Sequence, residues 1–183
     1  MRKLVGALNM TLDGFCDHTA LIADDEIHQH YTELLNNAGT VLYGRITYHL
    51  MEYWRTVLEN PTGNKSFDDF AVAIDKIPKI VFSHTLQQVD WKTARLATKD
   101  LKEEVSELKQ QAGKDILVGS RSLIVSLLNL NVIDEFQLLI QPIIAGKGLP
   151  LFGNISDRIE LQLLKSNTFN SSGSTLLYMS RKK

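Results

Sequence analysis

Apolar positions fall into short unbroken runs and helical stripes that alternate through the first two thirds of the chain. Lys3 to Asn9 is small and apolar and reads as a buried strand running into a loop at Asp13-Gly14. Asp24 and Asp25 then offer N-cap oxygens to a helix whose Ile27, Tyr31, Leu34, Leu35 and Ala38 share a face, and Gly39 suits the left-handed C-terminal position. TVLYG from Thr40 is a second short strand. Helical spacing returns from Arg45 to Leu58 through Ile46, Leu50, Tyr53 and Trp54, until Pro61-Thr62-Gly63-Asn64 stops it. Phe67 to Ile77 predicts another helix, closed by Pro78. KIVFS from Lys79 predicts a strand whose continuous Ile80-Val81-Phe82 run fits burial on both faces. Thr93 to Thr98 reads as a short strand. Asp100 and Glu103 form a capping box ahead of the Leu101, Val105, Leu108 and Ala112 stripe, which Gly113 closes. DILVG from Asp115 is strand, and Arg121 to Asn129 is helix with Leu123, Ile124, Leu127 and Leu128 inward.

The last third changes character. EFQLLIQPI, IELQLLKSN and STLLYMSRK are strand-like, separated by the Gly-rich stretch Ala145 to Gly153 and by the turn Asn170-Ser171-Ser172-Gly173. The final pair reads as an antiparallel hairpin. Parallel βαβ units followed by antiparallel strands imply one mixed sheet with helices packed on it, an α/β fold. With no repeat, low-complexity stretch or linker, residues 1–183 are expected to form a single domain.

Charge narrows the partners. Formal net charge is -1 with scattered Lys and Arg, which argues against a nucleic-acid partner. The apolar runs fall short of the roughly 20 residues that cross a bilayer, and the first residues lack a secretory pattern, so no membrane role is expected. The single cysteine, Cys16, fits a reducing cytoplasm and rules out a zinc deaminase, which needs a Cys pair; Cys16 itself reads as a small hydrophobe or a nucleophile. His28 and His30 point to opposite sides of their helix, so no metal site is expected.

Candidate chemistry gathers where strands end, because ligands of open α/β sheets collect there. Gly44-Arg45-Ile46-Thr47, Ser83-His84-Thr85 and Gly119-Ser120-Arg121-Ser122 each supply a small residue, hydroxyls or a cation, and two of them open a helix whose free N–H groups favour phosphate. Neither a Walker A run nor the GxGxxG fingerprint is present. Singly, each triplet is also an ordinary capped turn; jointly, they describe a polyphosphate site.

Those three segments, as GRITY, IVFSHTL and ILVGSRSLI, resemble the cofactor segments of dihydrofolate reductases. NMTLDGF and PIIAGKGLPLF are similar to the reductase domain of riboflavin biosynthesis and its stand-alone relatives. The resemblance implies a dihydrofolate-reductase-like three-layer fold, a mixed eight-stranded sheet with about four helices. It implies NADPH as cofactor: Gly44, Arg45 and Thr47 at its phosphates, with Arg45 close to the 2'-phosphate; Ser83, His84 and Thr85 around the adenosine 2'-phosphate; Gly119, Ser120, Arg121 and Ser122 at the pyrophosphate. Ser120 stands where relatives carry the second of two glycines joined by a cis peptide. On the substrate side it implies Thr11 and Asp13 at the cleft, Asp13 contacting or protonating the substrate, with Tyr48 and Trp54 as a flat wall. Asp13-Gly14 reads equally as a tight turn. The acidic residue that holds the pterin ring in relatives would fall near His28 and is displaced or missing. Gly146, Gly148 and Gly153 read as a structural bend or a phosphate loop.

The expected activity is hydride transfer from NADPH to a small pterin-like or pyrimidine-like heterocycle. The competing expectation is a non-catalytic NADPH-binding or dimerisation module. Stand-alone relatives pair through late strands, so a homodimer is expected, with Phe136 to Ile144 a possible surface unless it is buried within one subunit.

Overall fold

Apolar runs become sheet and striped segments become helices in the computed structural model, which describes residues 1–182. The strands are β1 (Leu4–Thr11), β2 (Ala38–Gly44), β3 (Lys79–Phe82), β4 (Ala94–Leu96), β5 (Asp115–Val118), β6 (Glu135–Gln141), β7 (Leu161–Thr168) and β8 (Thr175–Arg181). The α-helices are α1 (Asp25–Asn36), α2 (Arg45–Met51), α3 (Tyr53–Glu59), α4 (Lys65–Lys76), α5 (Leu101–Gln110) and α6 (Arg121–Asn129). The sheet has eight strands in the order β4-β3-β2-β5-β1-β6-β8-β7. Pairing is parallel from β4 to β6 and antiparallel from β6 through β8 to β7, so the closing hairpin forms as expected.

Topology dictates the layers. The chain steps from β1 outward to β4, returns to insert β5 between β2 and β1, and then crosses β1 to reach β6. Right-handed crossovers place connections of opposite direction on opposite faces. Val5, Val41, Tyr43, Val81 and Leu117 accordingly pack on Leu35 of α1 and Phe70, Ala73 and Ile74 of α4. Leu4, Leu42, Ile80, Ile116 and Val118 pack on Val105 and Leu108 of α5 and Ile124 and Leu127 of α6. The central strands are thus covered twice, which is why their sequences do not alternate. Each such side chain contributes about 1.5–3 kcal/mol of burial. Asp24 accepts from the Ile27 N–H at 2.9 Å and Asp100 from the Glu103 N–H at 2.9 Å, fixing the starts of α1 and α5.

Two expectations change, and the Phe136 to Ile144 run takes one of its two readings. Gly39 does not cap α1; Asn37 takes that position with φ -91°, and Gly39 lies inside β2. Its missing Cβ matters there, because one would stand 2.9 Å from an Arg2 guanidinium nitrogen and 3.0 Å from the Lys114 carbonyl oxygen. The helix expected from Arg45 to Leu58 is two helices joined at Glu52, whose φ -59° and ψ -26° keep the direction helical, so the apolar period continues across the break. Finally, Phe136, Leu138 and Leu139 are buried between β1, β8 and the helices, which removes most of the Phe136 to Ile144 run from any partner surface. Among the described residues, no helix is long and apolar enough to cross a membrane.

Candidate functional site

Neighbouring strands β3, β2 and β5 end side by side, and the turns that follow them form one row. Gly44 pairs with Phe82, so Ser83 and Arg45 start adjacent turns. The Gly119 N–H donates to the Leu42 carbonyl at 3.4 Å, and the buried Gly44 N–H donates to Ser120 Oγ at 2.8 Å. A Cβ on Gly119 would lie 3.1 Å from the Tyr43 ring, a tight approach that glycine relieves, whereas one on Gly44 would meet Ser122 Oγ at an ordinary 3.4 Å. Ser83 Oγ accepts from the N–H groups of Thr85 and Leu86, at 3.1 and 3.0 Å, and lifts His84 and Thr85 to the exposed tip. Arg45 and Ser122 are exposed and Thr47 is half-buried; among the described residues Arg45 makes no ion pair.

Two members of the expected set are engaged elsewhere. Ser120 is buried and spends its hydroxyl on Gly44, so it ties the β2 and β5 turns together. All peptide bonds among the described residues are trans, including the one before Ser120. Arg121 donates from Nε to the Pro150 carbonyl at 2.9 Å, which turns its guanidinium toward the 145–153 loop.

The crevice opens beside β1. Its ladder with β5 ends at Gly6 opposite Val118, whereas its ladder with β6 continues to Thr11 opposite Gln141. Lys3 and Leu4 accept from Ile116 and Asp134 respectively, so odd-numbered main-chain groups of β1 face β5 and even-numbered ones face β6. Past Val118 the β5 chain has turned into Gly119 and Ser120, leaving the Asn9 main chain without a strand partner on that side. This gap lies where the direction of strand addition reverses, the usual ligand crevice of an open α/β sheet.

Asp13, two residues past the end of β1, is tied to the 145–153 loop. Its carboxylate accepts from the Thr11 hydroxyl at 2.6 Å and from the N–H groups of Ala145 and Gly146 at 3.1 and 2.7 Å. These bonds, the Thr11 hydroxyl foremost, hold its carboxyl down at about 2, so it is ionised at neutral pH. Thr11 is fully buried, and its oxygen also accepts from the Phe15 N–H at 3.0 Å, which leaves it nothing to offer a ligand. Gly146 has φ 73° and Gly148 φ 148°, as a sharply bent loop needs. Asp17 accepts from the Leu149 N–H at the same bend. The Gly-rich stretch is therefore a bend whose amides at Ala145, Gly146 and Leu149 are taken by the chain's own carboxylates, as one of its two readings held.

Tyr48 is 2 % exposed, lies 6.4 Å from Trp91 between ring centroids and bonds to Asp90 at 3.3 Å, so it is core rather than wall. Trp54 is half-buried in an aromatic cluster with His28, Phe67 and Phe70, at 5.4, 5.7 and 4.5 Å. His28 is buried, and because Nδ1 meets the Asp24 carbonyl at 2.9 Å, that nitrogen carries the proton. Among the described residues no trio of His, Cys, Asp or Glu is placed to hold a metal ion.

Two polar positions in this region escape sequence reading. Asn9 is the half-buried polar side chain at the crevice, and the Tyr31 hydroxyl of α1 donates to its Oδ1. Gln141 is fully buried at the end of β6; its amide accepts from the Ile22 N–H at 2.6 Å and donates to the Ile22 carbonyl at 2.8 Å, pinning the segment that leads into α1. Asn9 could have been found as the lone amide at an inward position of an apolar strand; nothing local marks Gln141.

Comparison with known proteins places this architecture. The chain is 34% identical to the uncharacterized protein YyaP of Bacillus subtilis (strain 168), over 97% of this chain and 94% of that one. Its fold matches a riboflavin-biosynthesis-type protein from Shewanella sp. PV-4 with TM-score 0.73 and 18% identity, covering 99% of both chains. It also matches a diaminohydroxyphosphoribosylaminopyrimidine deaminase/5-amino-6-(5-phosphoribosylamino)uracil reductase from Thermotoga maritima with TM-score 0.67 and 18% identity, covering 99% of this chain and 57% of that one. The family model for the RibD C-terminal domain spans residues 2–173, and the chain belongs to that family.

Proposed function

We propose that this protein is an NADPH-dependent reductase that transfers a hydride to a small pyrimidine-like or pterin-like ring. The observation that carries the reading is the single row formed by the turns after β2, β3 and β5, with the unpaired Arg45 at one of them. A phosphorylated dinucleotide suits such a row: Arg45 is the cation for the 2'-phosphate, with the His84 ring beside it, and Gly44, Thr47, Ser83, Thr85, Gly119 and Ser122 supply close main-chain approach and donors. Ser120 holds the two turns in register, and Arg121 braces the loop opposite.

Bound there, NADPH would supply the hydride, and the chain's own residues orient the acceptor ring and exclude bulk water. The proton that accompanies hydride transfer comes from a water in this reading, because Asp13 is locked as a carboxylate. The same locked state favours a second reading, an NADPH-binding module without turnover.

Calorimetry with NADPH and NADH, followed by coenzyme oxidation with pyrimidine and pterin acceptors, separates the two. Binding with turnover supports the reductase, binding without turnover across the panel supports the module, and no heat with millimolar NADPH ends both. Arg45→Ala is expected to weaken NADPH about 10- to 100-fold with little change for NADH, the worth of one charge-assisted contact. An equal loss for both coenzymes would remove Arg45 from the 2'-phosphate.

A further inference from the structure

We infer that Asn9 selects the substrate ring, its side-chain amide donating to an exocyclic oxo group of the heterocycle and disfavouring an amino group there. The inference rests on the reductase reading above and names the ring chemistry that reading leaves open.

Position comes first. Val5, Ala7, Asn9 and Thr11 share the face of β1 turned toward α1. Val5 and Ala7 are buried and apolar, and the Thr11 hydroxyl is consumed by Asp13 and Phe15, so Asn9 is the polar group this face presents where β5 has ended.

Orientation follows from Tyr31. A phenol has one proton, and the single hydrogen-bond partner of the Tyr31 hydroxyl among the described residues is the Asn9 side chain. Burial pushes the Tyr31 pKa well above its usual value, so the proton stays on. That proton is satisfied by donating to Asn9 Oδ1, which leaves the Nδ2 protons for another partner. Among the described residues Nδ2 has no partner, yet it is not one of the side-chain nitrogens sealed from solvent. An oriented donor with open access at the bottom of a crevice is a recognition element. An exocyclic oxo group completes it, whereas an amino group at that place sets donor against donor.

The test uses NADP+-saturated protein titrated with the dioxo ring lumazine and with the matching diaminopteridine, two ligands of nearly equal shape. The wild-type protein is expected to prefer lumazine by about tenfold or more, the cost of an unpaired donor in a site built to use it. Asn9→Asp, whose carboxylate accepts from Tyr31 and from a ring amino group alike, is expected to erase or reverse that ratio. Tyr31→Phe is expected to reduce it by freeing the amide to turn, with NADPH affinity unchanged in both variants. A folded protein that binds NADPH but shows no preference, or whose preference survives Asn9→Asp, overturns the Asn9 assignment and leaves the reductase reading standing. Absence of NADPH binding overturns both.

Discussion

Asp13 shows how a side chain can have the right identity and the wrong availability. Its carboxyl lies at about 2, against an ordinary 3.8, because one hydroxyl and two amides donate to the ionised form. A depressed folded pKa contributes stability above the unfolded value and loses it as pH falls through the folded one. The thermal midpoint is therefore expected to drop between about pH 4 and pH 2, and Asp13→Asn should flatten part of that slope in a melting series. Over neutral pH, Asp13 supplies no titrating limb to a rate profile. A limb between pH 5 and 8 that disappears in Asp13→Asn would restore it as the proton donor. The adjacency of the turns after β2, β3 and β5 was legible because each follows its own strand directly. The state of Asp13 was not, because its amide partners lie at Ala145 and Gly146, far along the chain and joined to it only by folding.

Elements were legible where burial leaves a period. The two-sided runs at Ile80 and Ile116 and the stripes of α1, α5 and α6 each announced their structure. The break at Glu52 was not legible, since both halves stay helical there and no Gly or Pro marks it. Nor was Gly39, whose bare Cα answers to Arg2 and Lys114, residues of other segments. Gln141 is the long-range case with the largest consequence, for its amide acts as one extra strand residue against Ile22. Gln141→Leu removes both bonds to the exposed Ile22, each worth about 0.5–1.5 kcal/mol net. The expected outcome is a lowered unfolding midpoint together with faster amide exchange confined at first to residues 17–24. Unchanged exchange in that segment would show that other contacts hold it.

At the scale of the whole molecule, the direction of strand addition reverses after β4 and again at the closing hairpin, and these reversals set the crevice and the unevenness of the surface. Helices cover the sheet from β4 to β6, but on β7 at the far edge Leu163 and Leu164 are 56% and 52% exposed. A register shift between Leu163 and Lys165 interrupts the β7–β8 ladder beside them. An irregular edge discourages pairing strand to strand, whereas two neighbouring leucines favour contact through the sheet face. Were the chain to pair as the resemblance implies, the surface it offers lies on β7 and β8 rather than on the buried part of β6. A stable pair needs about 800 Å² from each partner, more than two leucines supply, so Leu161, Met179 and their surroundings must join them. Leu163→Lys combined with Leu164→Lys is expected to convert a dimer to a monomer in sedimentation across a dilution series, with the NADPH affinity of the distant turns retained. A wild-type chain that sediments as a monomer at all concentrations would leave those leucines without a partner, and the sheet edge would then be exposed in its working state.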